Sequence, residues 1–104
     1  PAANISEQND AYLIEMAIPG YRRENVSIEL DNKQLHIKGK REEGDDEAYT
    51  RREFGLGDFS RSFLIPGTAN TEKIEAKFSD GILSVRIAKK DEAIPRPPRQ
   101  IDIK

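Results

Sequence analysis

The fold of this 104-residue chain is decided by the stretch Ala76-Lys77-Phe78-Ser79-Asp80-Gly81-Ile82-Leu83-Ser84-Val85. Apolar and polar residues alternate on both sides of Asp80-Gly81, which is the pattern of two half-buried antiparallel strands. A two-residue type I′ turn needs positive φ at both central positions, and Asp-Gly supplies them. The stretch therefore predicts a β-hairpin in which the glycine permits the tight turn, Leu83 and Val85 fill a core, and Ala76 allows close sheet packing.

The same period of two recurs along the chain. It predicts strands over residues 12–18, 26–30, 35–37, 59–65, 74–78 and 83–87, with a short first strand around Ile5. No segment carries a helical period over three turns, and residues 23–25 and 71–73 would each form one helical turn at most. Short strands with regular turn signals predict an all-β fold, an antiparallel β-sandwich. A sandwich leaves edge strands, which invite pairing with another chain.

Composition limits the classes of function. The chain is 36% apolar and 35% charged, and its 17 basic and 19 acidic residues give a net charge of −2. Without a basic excess, we expect no nucleic-acid partner. The absence of cysteine is compatible with a reducing cytoplasm, and no apolar run approaches the roughly 18 residues of a membrane span. We therefore expect one small cytoplasmic domain that gains stability by pairing.

Catalytic and metal-binding patterns are missing from the sequence. The single histidine, His36, falls on the polar phase of a predicted strand, and no serine has a histidine that is plausibly positioned to activate it. The acidic run at residues 42–47 lacks the oxygen spacing of a calcium loop and is interpreted as solvated charge. We expect no enzyme activity and no cofactor or metal.

Two segments break the strand pattern. Residues 40–53 are long for a hairpin loop, and their second half, residues 47–52, has the pattern of a short strand that could reach a partner's sheet edge. The alternative is a solvated loop. Residues 90–104 form a proline-rich tail whose stiff tether spans on the order of 35 Å. It ends in Ile101 and Ile103, which share one side of an extended strand and predict docking into a groove, unless the terminus is merely frayed.

These features together resemble the α-crystallin domain of the small heat-shock proteins. Residues 76–85 look like its A-x4-G-(I/V)-L-x-V signature, carried by Ala76, Gly81, Leu83 and Val85. Three further features agree with that family in order and spacing: Pro19-Gly20 after the second strand, residues 59–66, and Ile101-Asp102-Ile103 as an I-x-I tail. The resemblance covers essentially the whole chain.

The resemblance implies an immunoglobulin-like sandwich in residues 1–89, with the tail, residues 90–104, as a flexible extension. It also implies a homodimer in which a loop strand, matched here by Tyr49, Thr50, Arg51 and Arg52, is swapped onto the partner's edge. The I-x-I tail then docks on a neighbouring dimer and builds a higher homo-oligomer. The groove residues implied by strand order are Val26, Ile28, Leu30, Ile74 and Phe78; the alternative is that these residues are simply core.

The function implied is that of an ATP-independent holdase chaperone, which binds partly unfolded client proteins and prevents their aggregation. Family members usually carry an apolar-rich segment before the domain, which contributes to client capture, whereas here the first predicted strand begins almost at Pro1. A non-chaperone interaction module, such as a co-chaperone adaptor for a folded partner, is the alternative. A hydrolase is the most distant hypothesis.

Overall fold

The computed structural model describes residues 1–40 and 57–104. Within them, seven strands and two single-turn 3-10 helices, Arg23–Asn25 and Asp91–Ala93, follow one another. The strands are β1 (Ala3–Glu7), β2 (Ala11–Ala17), β3 (Val26–Asp31), β4 (Gln34–Gly39), β5 (Phe59–Leu64), β6 (Ala69–Ser79) and β7 (Ile82–Lys89). Every pairing is antiparallel. The predicted all-β fold is confirmed.

Two sheets pack face to face. One has the strand order β1-β2-β7-β6 and the other β3-β4-β5. The core between them consists of Ile14, Met16, Ile18, Leu35, Ile37, Phe63, Ile65, Ala69, Leu83, Val85 and Ile87. Among the strands of residues 1–40 and 57–104, β2, β4 and β7 are the most deeply buried, because each has a paired strand on both sides. Within the same residues, β1, β3, β5 and β6 are edges.

The β6–β7 turn has the conformation that its sequence predicts. Asp80 and Gly81 have φ angles of 54° and 77°, so both central positions are left-handed, as a type I′ turn requires. The turn also contacts the end of β2, since the Ile18 amide donates a hydrogen bond of 2.8 Å to the Gly81 carbonyl. A Cβ at Gly81 would lie 3.3 Å from the Pro19 Cα. Glycine is therefore favoured by its φ angle, and a Cβ at this position would also crowd Pro19.

Strand β6 is irregular where a helical turn was considered. Ala69 pairs with Lys89, and the next pair is Ile74 with Ile87. Between these two pairs the chain advances by five residues on β6 but by only two on β7. The extra residues bulge out of the ladder, and the Asn70 side chain accepts a hydrogen bond from the Glu72 amide at 3.1 Å. The helical turn considered for residues 71–73 is wrong, whereas residues 23–25 do form one turn.

A buried lysine fixes the end of the last strand. Lys89 is only 8% exposed. Its Nζ donates a hydrogen bond of 3.0 Å to the Glu7 carboxylate and lies 5.2 Å from the centre of the Tyr12 ring. The next residue, Lys90, donates its amide to the Thr68 carbonyl at 2.8 Å. The tail therefore leaves the sandwich from a point that is bonded to the end of β1 through Glu7 and to Thr68, the residue before β6.

The β6–β7 turn should contribute measurably to stability through Gly81. Gly81→Ala should lower the free energy of unfolding by about 1–2 kcal/mol, because alanine is strained at this positive φ. Urea denaturation followed by circular dichroism measures the change. Gly67→Ala is the matched control, because a Cβ there meets no atom within 4 Å and this glycine has no positive φ. Equal stabilities of the two variants would contradict the turn's role.

Candidate functional site: an apolar groove between two sheet edges

A groove of about 570 Å³ lies between the edge strands β3 and β6. This β3–β6 groove is lined by Arg23, Val26, Ile28, Ala76, Lys77, Phe78, Ser79 and Leu83. Its volume falls within the range of about 300–1,000 Å³ that is typical of ligand-binding clefts. The groove runs along two strand edges, so its shape suits an extended peptide.

The apolar lining arises from the strand alternation. Val26 and Ile28 pair across β3–β4 with the buried Gly39 and Ile37, so they point toward the space between the sheets. Ala76 and Phe78 pair across β6–β7 with the buried Val85 and Leu83. These side chains have the interior orientation but lie at an edge, where the groove exposes part of their surface.

The predicted groove residues do not all meet in this groove. Val26, Ile28 and Phe78 line it. Ile74, which is half-buried, lines a separate depression of about 320 Å³ beside the β6 bulge. Leu30 is 42% exposed at the far end of β3. The structure therefore brings together three of the five candidates.

Sequence reasoning missed other lining residues. Ala76 was expected to allow close sheet packing, but it is exposed on the edge strand and forms part of the groove. The signal available in the sequence was its phase, because Ala76 lies on the same face of the strand as Ile74 and Phe78. Arg23 and Lys77 also contribute atoms to the groove lining. Their charge was visible in the sequence, but their position depends on how the two sheets face each other.

The tail isoleucines are exposed. Ile101 is 76% and Ile103 is 99% exposed. Residues 95–104 have no strand or helix. Removing two adjacent aliphatic side chains from water is favourable at about 25 cal/mol per Å² of apolar surface. The chain therefore carries an exposed apolar pair and an open apolar groove as separate features.

The apolar side chain of Ile5 is exposed on β1, at the edge of the four-stranded sheet opposite β6. Ile5 of β1 lies in register with Ile14, which in turn pairs with the fully buried Val85. It shares their interior orientation, yet it is 63% exposed because β1 ends the sheet. The predicted swap strand at residues 49–52 lies outside the described residues, as does almost all of loop 40–53.

One expectation about polar chemistry is wrong. His36 Nδ1 lies 2.7 Å from the Ser62 Oγ, so a histidine does contact a serine. Glu29 is the register partner of His36 on β3. His36 and Ser62 lie on the outer face of the three-stranded sheet, since His36 is opposite in phase to the buried Leu35 and Ile37. Hydrogen bonding between neighbouring strands accounts for this contact.

Neither a metal cluster nor a membrane helix occurs in the part of the chain that the structure describes. In residues 1–40 and 57–104, no group of three or more His, Cys, Asp or Glu side chains is arranged to hold a metal ion. The same residues contain no helix that is long and apolar enough to cross a bilayer.

Comparison with known proteins gives a consistent result. The model of the Hsp20/alpha crystallin family matches residues 4–104. Small heat shock protein C2 of Rickettsia felis is 36% identical over all of this chain and 68% of its own length. The 17.7 kDa class II heat shock protein of Arabidopsis thaliana is 32% identical over 97% of this chain and 68% of its own length. Another relative, small heat shock protein C4 of Rickettsia felis, is covered over only 59% of its length.

Solved structures agree with this result. A small heat-shock protein from Xylella fastidiosa superimposes with a TM-score of 0.78 at 29% identity, covering 100% of this chain and 95% of that chain. Heat shock protein 16.0 from Schizosaccharomyces pombe gives 0.77 at 30% identity, with coverages of 100% and 97%. The chain belongs to the Hsp20/alpha crystallin family. This is a family of ATP-independent, typically oligomeric chaperones and not of enzymes.

Proposed function

We propose that this chain is a holdase, which captures partly unfolded proteins on its apolar edges and keeps them from aggregating without ATP. The observation that carries the proposal is the β3–β6 groove, an open apolar cleft between two strand edges. Unfolded segments offer apolar side chains and unpaired backbone groups, and such a cleft accepts both. Binding a client segment removes its apolar surface from water and so competes with aggregation.

Client protection should depend on the groove. Light scattering of a heat-labile client, warmed without ATP, should be suppressed by the wild-type chain at near-stoichiometric ratios. Ala76→Phe places a ring in the groove and should lose most of this suppression at the same ratio. Ala17→Phe is the matched control, because Ala17 is also exposed but pairs with Ile82, away from the groove lining.

Two outcomes of this assay would count against the proposal. No suppression by the folded wild-type chain would contradict a holdase formed by these residues and would favour an interaction module. Full suppression by the Ala76→Phe variant would place client capture elsewhere on the chain.

The tail supports a proposal about assembly. Ile101 and Ile103, with residues 90–104 as a flexible extension of the domain at residues 1–89, enter the β3–β6 groove of a neighbouring copy. Leu30 and Ile74 flank that groove along the same two strands. Burying two isoleucines contributes roughly 3–6 kcal/mol before the costs of ordering and association are subtracted. A contact of this strength is reversible, so tails and clients can exchange in one groove.

Removing the two tail side chains should reduce assembly. Ile101→Ser combined with Ile103→Ser should lower the average mass measured by multi-angle light scattering over a dilution series, because the apolar surface that enters the groove is gone. Arg99→Ala combined with Gln100→Ala changes the same tail without touching the isoleucines and should leave the mass unchanged. An unaltered mass in the isoleucine variant would refute tail-mediated assembly.

The exposed Ile5 on the edge strand β1 supports a proposal about the dimer. The residues Tyr49, Thr50, Arg51 and Arg52 of one copy extend the partner's sheet at β1, where the interior row ends with the exposed Ile5. A strand added there pairs the free backbone groups of the edge and covers that isoleucine.

The dimer should weaken when Ile5 becomes charged. In the Ile101→Ser, Ile103→Ser background, Ile5→Asp should raise the dimer dissociation constant by about tenfold or more, because a carboxylate replaces a side chain that the partner strand buries. Sedimentation velocity measures the constant. Ser6→Asp puts the same charge on the opposite phase of β1 and should have a much smaller effect. Equal dissociation constants for Ile5→Asp and the unaltered background would rule out this edge.

A further inference from the structure

We infer that Asp102, between the two tail isoleucines, selects the strand edge and the register on which the tail docks, by pairing with Lys77 of β6. This inference rests on the proposed docking of the tail in the β3–β6 groove, and its occupant is the tail of a second copy. It assigns a specificity role to Asp102, the charged residue between two apolar ones.

The orientation of Asp102 follows from strand geometry. When Ile101 and Ile103 point into the groove, the residue between them points to the opposite side. A tail strand lying along either groove edge therefore presents Asp102 on the outer face of the sheet it extends. This holds for both directions of the tail, because the phase of alternation does not depend on direction. Asp102 then neighbours the outward-facing side chains of that edge strand.

The two groove edges carry different charges on their outer faces. On β3 the outward-facing residues are Ser27, Glu29 and Asp31, all exposed, since their neighbours Val26, Ile28 and Leu30 have the inward phase. A carboxylate placed beside Glu29 or Asp31 is repelled. On β6 the outward-facing Lys77 offers an opposite charge. Beside the groove-lining Val26 and Ile28, Asp102 would instead meet the uncharged Ser27, whose register partner on β4 is Lys38. Lys77 gives β6 the advantage of an opposite charge on the edge strand itself.

The same charges distinguish registers along β6. A shift of two residues preserves the inward phase of the isoleucines but moves Asp102 from Lys77 to Glu75 or Ser79. Glu75 repels it and Ser79 is neutral. Ser84, the cross-strand partner of Lys77, is also neutral. Among residues 1–40 and 57–104, neither described ion pair involves Lys77.

Apolar packing favours the same register. With Asp102 beside Lys77, the isoleucines lie beside Ala76 and Phe78, both of which line the groove. The small Ala76 side chain leaves room there for a branched neighbour. With Asp102 beside Glu75, one isoleucine would instead lie beside Ile74, which lines the separate depression near the bulge. Charge therefore favours the register beside Lys77 over both alternatives, and available space favours it over the register beside Glu75.

The test is a charge-swap cycle with a fluorescent peptide of residues 95–104. The receptor is the full chain with Ile101→Ser and Ile103→Ser, so that its own tail does not compete. Fluorescence anisotropy gives the dissociation constant at 0.15 M salt, where charges more than about 8 Å apart are largely screened. Either Asp102→Lys in the peptide or Lys77→Glu in the receptor should weaken binding about threefold to tenfold.

Restoration of binding is the decisive result. The Asp102→Lys peptide should bind the Lys77→Glu receptor within about twofold of the unaltered pair, because the ion pair is re-formed with reversed signs. Lys38→Glu, on the outer face of the internal strand β4, is the matched receptor control and should change the dissociation constant less than twofold.

Three results would overturn the inference. Additive losses without restoration would show that Asp102 and Lys77 do not meet, while leaving tail docking intact. Tighter binding of the unaltered peptide to a Glu29→Lys receptor, with no effect of Lys77→Glu, would place the tail along β3. Failure of the unaltered peptide to bind the receptor would overturn the proposed docking itself and this inference with it.

Discussion

Face-to-face packing of the two sheets buries the inward-facing side chains of the internal strands but leaves those of the edge strands partly exposed. The positions of the exposed apolar surfaces on the sandwich depend on this constraint. The clearest case is the row Ile5–Ile14–Val85–Ala76, which crosses all four strands of one sheet on its inner face. The two middle members are almost completely buried, whereas both ends are exposed. All four side chains obey the same alternation, so the difference comes only from strand order. The exposed ends mark the two edges to which we assign partners.

Strand alternation explains why so much of the fold was predictable. In β4 and β7 the predicted apolar phase is the buried one, because the period of two directly reports which side chains face the core. The Asp80-Gly81 turn was predictable because its conformation depends on two adjacent residues. Alternation does not report the position of a strand within its sheet. For this reason the sequence predicts close sheet packing around Ala76, although β6 is an edge strand. It also predicts one groove for Ile74 and Phe78, although the irregular register of β6 separates them.

The features that sequence reasoning missed all depend on contacts between distant residues. The Lys89 ammonium is buried because Glu7 of β1 and Tyr12 of β2 both contact it. His36 contacts Ser62 because the β4–β5 register places them side by side. A Cβ at Gly39 would meet the Phe59 ring, so a side chain there would require that ring to move. Each requires knowledge of register, which no local pattern contains. The swap strand stays a prediction, since residues 49–52 lie outside the described part of the chain.

The tail has a consequence for symmetry. A contact in which one copy's tail enters another copy's groove is heterologous, because the two surfaces differ, so it propagates until a rotation closes it into a ring or shell. Closure needs a consistent spacing between neighbours. Three prolines, Pro95, Pro97 and Pro98, stiffen the segment that sets this spacing. The bonds at its root, from Lys89 to Glu7 and from Lys90 to Thr68, fix its point of departure. The geometry of a closed particle would thus be encoded largely in the tether, outside the sandwich that the particle contains.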